Sequence, residues 1–212
     1  MSVTNKKRIP TRTLTILGIL TALEAIIAFT PLGSLPIGPV VATLAHIPVI
    51  LAGVTLGLSA GAYMGAVFGL LSFIVFTFIP QPVSFIFTPF YSVGEFSGNA
   101  WSLVIVFVPR ILLGVLAGLL VKVIEKADRS KLLAYTFAAA VSSLLHTLLV
   151  LFGIYFFFGP EFAKLNTWAY ESLLGLLFAG IVFPNGIAEA ILAVVLVVPI
   201  AKALERVSKR GA

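Results

Sequence analysis

The chain contains no cysteine. That removes disulfide scaffolds, thiol catalysis and cysteine-held metals together, while leaving the redox compartment open. Charge is scarce as well: Asp, Glu, Lys and Arg make up 10% of 212 residues, against about 25% in ordinary globular domains. So little charge cannot coat a particle of this size, which excludes a water-soluble monomer. Only two histidines occur, His46 and His146, and they do not form a metal pair of recognisable spacing. There is no phosphate loop, nucleotide fingerprint, catalytic triad or metalloprotease motif. No acid, base and metal set shares a span or loop at the spacing a membrane enzyme needs, so an enzyme is not expected, nor any cofactor. Whatever energy the protein uses comes from elsewhere.

What the chain does have is apolar surface: 60% of it is hydrophobic, against about 45–50% in soluble domains. A helix needs about 20 apolar residues to cross a bilayer. Apolar stretches run at about 12–30, 44–57, 60–79, 101–124, 133–158 and 173–205. They predict an all-α integral membrane protein of six transmembrane helices, one domain over residues 1–212. The first stretch follows Lys6, Lys7 and Arg8 as a signal peptide would. Glu24 interrupts it and no small-residue cleavage site follows, so it reads as a retained helix.

The basic residues orient this bundle. Lys6, Lys7, Arg8 and Arg12 precede the first span; Lys122, Lys126, Arg129 and Lys131 lie between the fourth and fifth; Lys202, Arg206, Lys209 and Arg210 end the chain. With an even number of spans all three groups share one side, which the positive-inside rule makes cytoplasmic. Both termini are therefore expected in the cytoplasm, and the +6 net charge is a topology signal and not a nucleic-acid footprint. On the outer side, connections at about 31–43, 80–100 and 159–172 carry Pro31, Pro36, Pro39, Pro80, Pro82 and Pro89, with Tyr91, Trp101, Trp168 and Tyr170 suited to the interface.

Small residues mark close helix approach in lipid. Gly57, Gly61, Gly65 and Gly69 form one stripe, Arg110, Gly114 and Gly118 another, and Gly18, Ala22, Ala25 and Ala28 a third on the first span. The third could serve internal packing or dock a partner. Residues 47–57 (IPVILAGVTLG) and 108–118 (VPRILLGVLAG) agree at six of eleven positions, a shared helix grammar and not an inverted repeat.

Intramembrane charge is costly and usually faces a cavity or a partner. Arg110 lies nine residues in from Trp101, about 14 Å at 1.5 Å per residue, near mid-membrane. Two readings are open for it: an ion pair with Glu24 or Glu189, or a site for an anionic ligand. Pro184-Asn185-Gly186 breaks the last stretch, predicting a short outer helix at about 172–182 and a membrane helix from about 187. Asn185 would then cap an exposed helix start with Glu189 one turn on, as a structural pair or as ligand contacts at a cavity mouth. His46 reads as a plausible ligand contact, and His146, beside Ser142, Ser143 and Thr147, as a residue satisfied by helix–helix hydrogen bonding.

The segment PLGSLPIGPVVATLAHIPVILAGVTLGLSAGAYMGAVFGLLSF (31–73) resembles the substrate-binding S components of energy-coupling factor (ECF) vitamin transporters. FVPRILLGVLAGLL (107–120) and PNGIAEAILAVVLVVPIAKAL (184–204) resemble later segments of the same family. The loop IGPV…ATLAHIP is most similar to the pantothenate type.

The resemblance implies a six-helix subunit in a prokaryotic plasma membrane that captures a vitamin outside and releases it inside. Its partners would be an EcfT-type transmembrane coupling subunit and two ABC ATPases, which hydrolyse the ATP. It implies a partner-docking AxxxA motif on the first helix, for which Gly18, Ala22 and Ala25 stand nearest, with glycine in place of the first alanine. By position it also implies substrate contacts at Thr43, His46, Asn99, Trp101, Arg110, Asn185 and Glu189. A carboxylate vitamin such as pantothenate suits Arg110 with neutral hydrogen-bonding groups. A flat aromatic vitamin would instead use Phe85, Phe87, Phe90, Tyr91 or Trp168. A self-sufficient secondary transporter or channel for a small molecule is the other reading of the loops and buried charges.

Overall fold

A computed structural model of the chain describes residues 10–33, 35–37, 40–128 and 130–210. Lys6, Lys7, Arg8, Pro39 and Arg129, used above for topology and loop stiffness, lie outside them. The described chain is nearly all helical: α1 (Thr11–Phe29), α2 (Ile47–Leu56), α3 (Leu58–Phe78), α4 (Ala100–Ile124), α5 (Leu132–Leu165), α6 (Leu173–Leu177) and α7 (Ile187–Arg210). The all-α expectation needs one amendment. Two small antiparallel hairpins sit in the connections, β1 (Leu35–Ile37) with β2 (Val40–Ala42), and β3 (Ser92–Val93) with β4 (Phe96–Ser97).

Five helical segments are long and apolar enough to cross a membrane: Thr11–Phe29, Leu58–Phe78, Ala100–Ile124, Leu132–Leu165 and Tyr170–Val207. The stretch expected as the second span, 44–57, forms only the 10-residue α2, about 15 Å at 1.5 Å per residue. Its start is set by His46 and by Pro48 in the first turn, where a missing N–H costs nothing. Its end is set by Gly57 at φ +95°, a left-handed conformation that favours glycine. Gly57 therefore makes a sharp turn into α3 and stands outside the packing stripe in which the sequence placed it.

The rest of that stripe behaves as the spacing suggests. A Cβ on Gly61 would land on the Gly114 carbonyl, and one on Gly65 on the Arg110 carbonyl. At Gly69 the obstacle is the Phe107 ring. The two echoed segments meet at matching positions: Gly53 lies against Gly114, and Gly118 against the Gly57–Leu58 turn. Their shared sequence thus encodes a shared contact surface.

Local chemistry marks two further helix starts. Asn99 and Ser102 form a reciprocal capping box at the start of α4. In the loop before α5, Asp128 accepts hydrogen bonds from the Ser130 hydroxyl and amide and from the Ala134 amide. The Ser130 hydroxyl foremost, then those amides, hold its carboxyl below the usual carboxylate range.

The break expected at 184–186 is not a break. Phe178–Gly186 forms a nine-residue π-helical segment that runs into α7. Pro184 has no N–H to give, and the wider turn absorbs the mismatch without ending the helix. Wide turns of this kind recur at functional sites.

Two apolar clusters fill the bundle. One joins α2, α3, α4, α5 and α7 through Val49, Ile50, Met64, Leu113, Ala138 and Val197. The other holds Phe85, Ile105, Val106, Phe158, Leu173 and Leu177 at the opposite end. Outward faces carry Ile19, Ile26, Phe137, Phe156 and Val195, all well exposed in the isolated chain, as lipid contact requires. Arg12 at the start of α1 donates to the Leu204 carbonyl near the end of α7, and with Lys122 and Lys131 it borders one cavity. Basic residues from all three sequence clusters therefore gather at one end of the bundle.

Candidate functional site

A cavity of about 250 Å³ lies where the two clusters meet: Phe68 belongs to one and Leu151 to the other. Several elements contribute, each by its own route. The chain leaving β2 brings Thr43 and, at the mouth of α2, His46; α4 brings Arg110; α5 brings His146 and Thr147. The π-helical segment and α7 supply Asn185 and Glu189. Val150 and Ile181 complete an apolar wall.

Arg110 is buried. Pro109, one residue before it, frees a carbonyl four residues back on α4: the Arg110 guanidinium donates Nη1 to the Ile105 carbonyl at 2.8 Å. Its plane sits over two rings, Phe68 at 5.5 Å and Phe87 at 5.3 Å, contacts worth more where water is excluded. Its Nε has no hydrogen-bond partner among the described residues. Of the two readings of Arg110, the ion pair with Glu24 or Glu189 is not formed. Glu189 is occupied elsewhere, accepting from the Thr43 amide at 3.1 Å and the Thr147 hydroxyl at 3.2 Å. It thereby ties the connection between α1 and α2, α5 and α7 to one carboxylate. Glu24 is fully buried in α1 with both oxygens unpartnered among the described residues.

His46 and His146 are both brought to the cavity, each with its Nε2 unpartnered among the described residues. For His146 this corrects the sequence reading: Ser142 bonds back to the Ala138 carbonyl, Thr147 shares its one hydroxyl proton between the Ser143 carbonyl and Glu189, and the imidazole is left facing Phe68 at 6.0 Å between ring centres. The signal was present, since His146, Thr147, Val150 and Leu151 recur at helical spacing on one face of α5. Phe68 carried no such signal, because nothing in an apolar stretch marks one phenylalanine as cavity wall.

Thr43, His46, Arg110, Asn185 and Glu189 thus share one cavity. Asn99 and Trp101 are not brought to it. Asn99 spends its side chain on the Trp101 amide at 2.8 Å, and Trp101 stacks outside on Phe157 at 4.2 Å. Of the alternative aromatic set, Phe85 and Phe87 are buried in the second cluster and Tyr91 and Trp168 pack against it. Asn185 lies in the continuous π turn, so its polarity is presented by a widened helix and not by a free helix start.

A small chamber with a guanidinium that meets no carboxylate among the described residues, two imidazoles, hydroxyl and amide groups and an apolar wall has the chemistry to receive a small polar anion with an apolar body. Residues 12–201 match the family described as ECF transporter, substrate-specific component. The chain is 38% identical over 169 residues, 79% of its length and 80% of the relative's, to the pantothenic acid transporter PanT of Lactococcus lactis subsp. cremoris (strain MG1363). A solved S component for biotin from an ECF-type ABC transporter is similar over 95% of each chain at 21% identity, with a TM-score of 0.46. The chain belongs to the substrate-specific S components of ECF transporters. It is an integral plasma-membrane transport subunit and not an enzyme.

Proposed function

We propose that this subunit captures pantothenate from outside the cell and delivers it inward through an EcfT-type coupling subunit and two ABC ATPases that hydrolyse ATP. The observation that carries the reading is Arg110: a buried guanidinium with no carboxylate partner among the described residues, bordering a cavity of about 250 Å³. A substrate carboxylate would supply that partner. The hydroxyl and amide groups of pantothenate match Thr43, Asn185, Glu189 and the two imidazoles, and its two methyl groups match the Phe68–Val150–Ile181 wall. The 38% identity to PanT supports the same substrate.

In this reading α2 and the connection before it complete a sixth crossing, so the basic end, with both termini, faces the cytoplasm. The test is thermal unfolding of the purified chain in detergent against a panel of water-soluble vitamins. A ligand at 100 times its Kd adds about 2.7 kcal/mol. Stabilisation by pantothenate is the expected result; stabilisation by biotin or another vitamin, and not by pantothenate, would discard the substrate and retain the class.

Exposure supports a docking face on α1. On α1, Gly18 and Ala22 lie open, a Cβ at Gly18 would meet nothing within 4 Å, and Ala25 is half-buried. We assign this outward face to the coupling subunit. Gly18→Leu and Ala22→Leu should leave pantothenate affinity of the isolated chain within about twofold, since surface changes rarely exceed ±0.5 kcal/mol. Uptake by the assembled transporter should fall to background; normal uptake by either variant would sink the docking role.

A further inference from the structure

The Arg110 guanidinium reaches the cavity as one member of a series of stacked groups. Phe76, near the C-terminal end of α3, lies almost parallel to Phe87, with 4.5 Å between ring centres and 18° between planes. The guanidinium carbon of Arg110 is 5.3 Å from the centre of the Phe87 ring and 5.5 Å from that of Phe68. Phe68 in turn meets His146 at 6.0 Å. Phe68 and Phe76 both belong to α3, about 12 Å apart along it at 1.5 Å per residue. Phe87 and Arg110 together bridge the space between them.

The two rings that meet Arg110 differ in access. Phe68 borders the cavity, whereas Phe87 is buried and does not border it. Phe87 comes from the connection between α3 and α4, which is tied to both helices. The Thr88 hydroxyl bonds that of Thr77 on α3 at 2.7 Å, and the Phe85 carbonyl accepts from the Ser102 hydroxyl of α4 at 2.8 Å. Arginine has a long side chain with much rotamer freedom, and here it has one hydrogen bond, to the Ile105 carbonyl, with Nε unpartnered among the described residues. The ring faces supply further restraint, because their electron-rich surface attracts a guanidinium, more strongly where water is excluded. We propose that Phe87 is a positioning residue for the substrate carboxylate: without touching the ligand, it holds the Arg110 guanidinium in the orientation that receives it. A cation fixed before the ligand arrives avoids an ordering cost on binding. The inference rests on the assignment of Arg110 to an anionic vitamin, and it extends the site to a ring outside the cavity.

The experiment is a double-mutant cycle on the full chain in detergent: parent, Phe87→Leu, Arg110→Gln and the double variant, each titrated with pantothenate and each unfolded thermally without ligand. Phe87→Leu should weaken binding about tenfold in the parent, the size of a desolvated cation–π contact. Once Arg110 is glutamine, the same change should cost less than about twofold, because the group it acts through is gone. Phe85→Leu is the control. Phe85 is buried in the same connection and packs on Phe96 and Phe158, so its loss should lower the unfolding temperature and leave affinity within about twofold. Should Phe87→Leu fail to fold, Phe87→Met fills the gap with an adaptable side chain that has no ring face. Equal affinity losses in the Phe87 and Phe85 variants, or a Phe87 effect as large beside Arg110→Gln as in the parent, overturns the proposal. A parent that binds no pantothenate discards the vitamin assignment, and the ligand-free arm then decides the contact on its own. Phe87→Leu should lower the unfolding temperature of the parent more than that of Arg110→Gln, and equal drops would overturn the positioning role.

Discussion

Arg110→Gln is expected to weaken pantothenate binding by about 30-fold to several thousandfold while the protein folds as before. Removing one partner of a buried charge pair costs about 2–5 kcal/mol, and each 1.4 kcal/mol is tenfold in Kd. The folding half of the expectation follows from what Arg110 does without ligand. It makes one hydrogen bond, to the Ile105 carbonyl, has ring faces on two sides and answers no carboxylate among the described residues. A glutamine amide can keep that hydrogen bond and removes a charge that is costly to bury. The ligand-free variant should therefore unfold at the same temperature as the parent or a higher one. Arg110→Lys keeps the charge and loses the planar fork, so it should fall between parent and Gln. Titration calorimetry on detergent-purified protein measures all three. Unchanged affinity in a folded Arg110→Gln variant would remove Arg110 from the site.

Arg110 also shows how far the sequence could be read. A single arginine in an apolar stretch, with Gly114 and Gly118 on its face, can point only inward, and that inference needed nothing beyond helical periodicity. Which partner it meets inside was not legible, because the two candidate carboxylates lie on other helices. Glu189 lines the same cavity as Arg110 but is held by Thr43 and Thr147. Composition likewise disclosed the membrane class, yet not that the second apolar stretch stops after 10 residues. Its length was consistent with a span; Gly57 ends it by adopting a positive φ, a choice hydropathy does not encode. Asn99 and Trp101 mark another limit: among the described residues the first caps α4 and the second stacks on Phe157. Polar and aromatic residues at an outer helix start serve capping and interfacial stacking as readily as binding, and the two uses look the same in one dimension.

Gly114→Leu and Gly61→Leu are expected to abolish recovery of folded protein, whereas Gly18→Leu, chemically the same change, should leave the unfolding temperature of the isolated chain within a few degrees of the parent. The difference lies in what a side chain would meet. Gly61 and Gly114 each face the other's backbone carbonyl, and α3 with α4 forms the most extensive helix contact in the bundle. Extra methylenes in a tight core cost about 1–3 kcal/mol when side chains can shift. Here the obstacle is backbone, which moves only if the helices separate, so the cost lies above that range. Gly65 makes the link to binding, because its neighbour is the carbonyl of Arg110 itself. Gly65→Ala should displace α4 at Arg110 by a fraction of an ångström and weaken pantothenate binding about tenfold or more, since a shift near 1 Å in a bound geometry costs about 100-fold in analogous catalytic sites. Gly69→Ala is the control: it meets the Phe107 ring and the Val106 carbonyl, away from the cavity lining, and should lower stability without selectively lowering affinity. Equal affinity loss in the two alanine variants would mean that α3 sets the site only through global stability and not through its contact with Arg110.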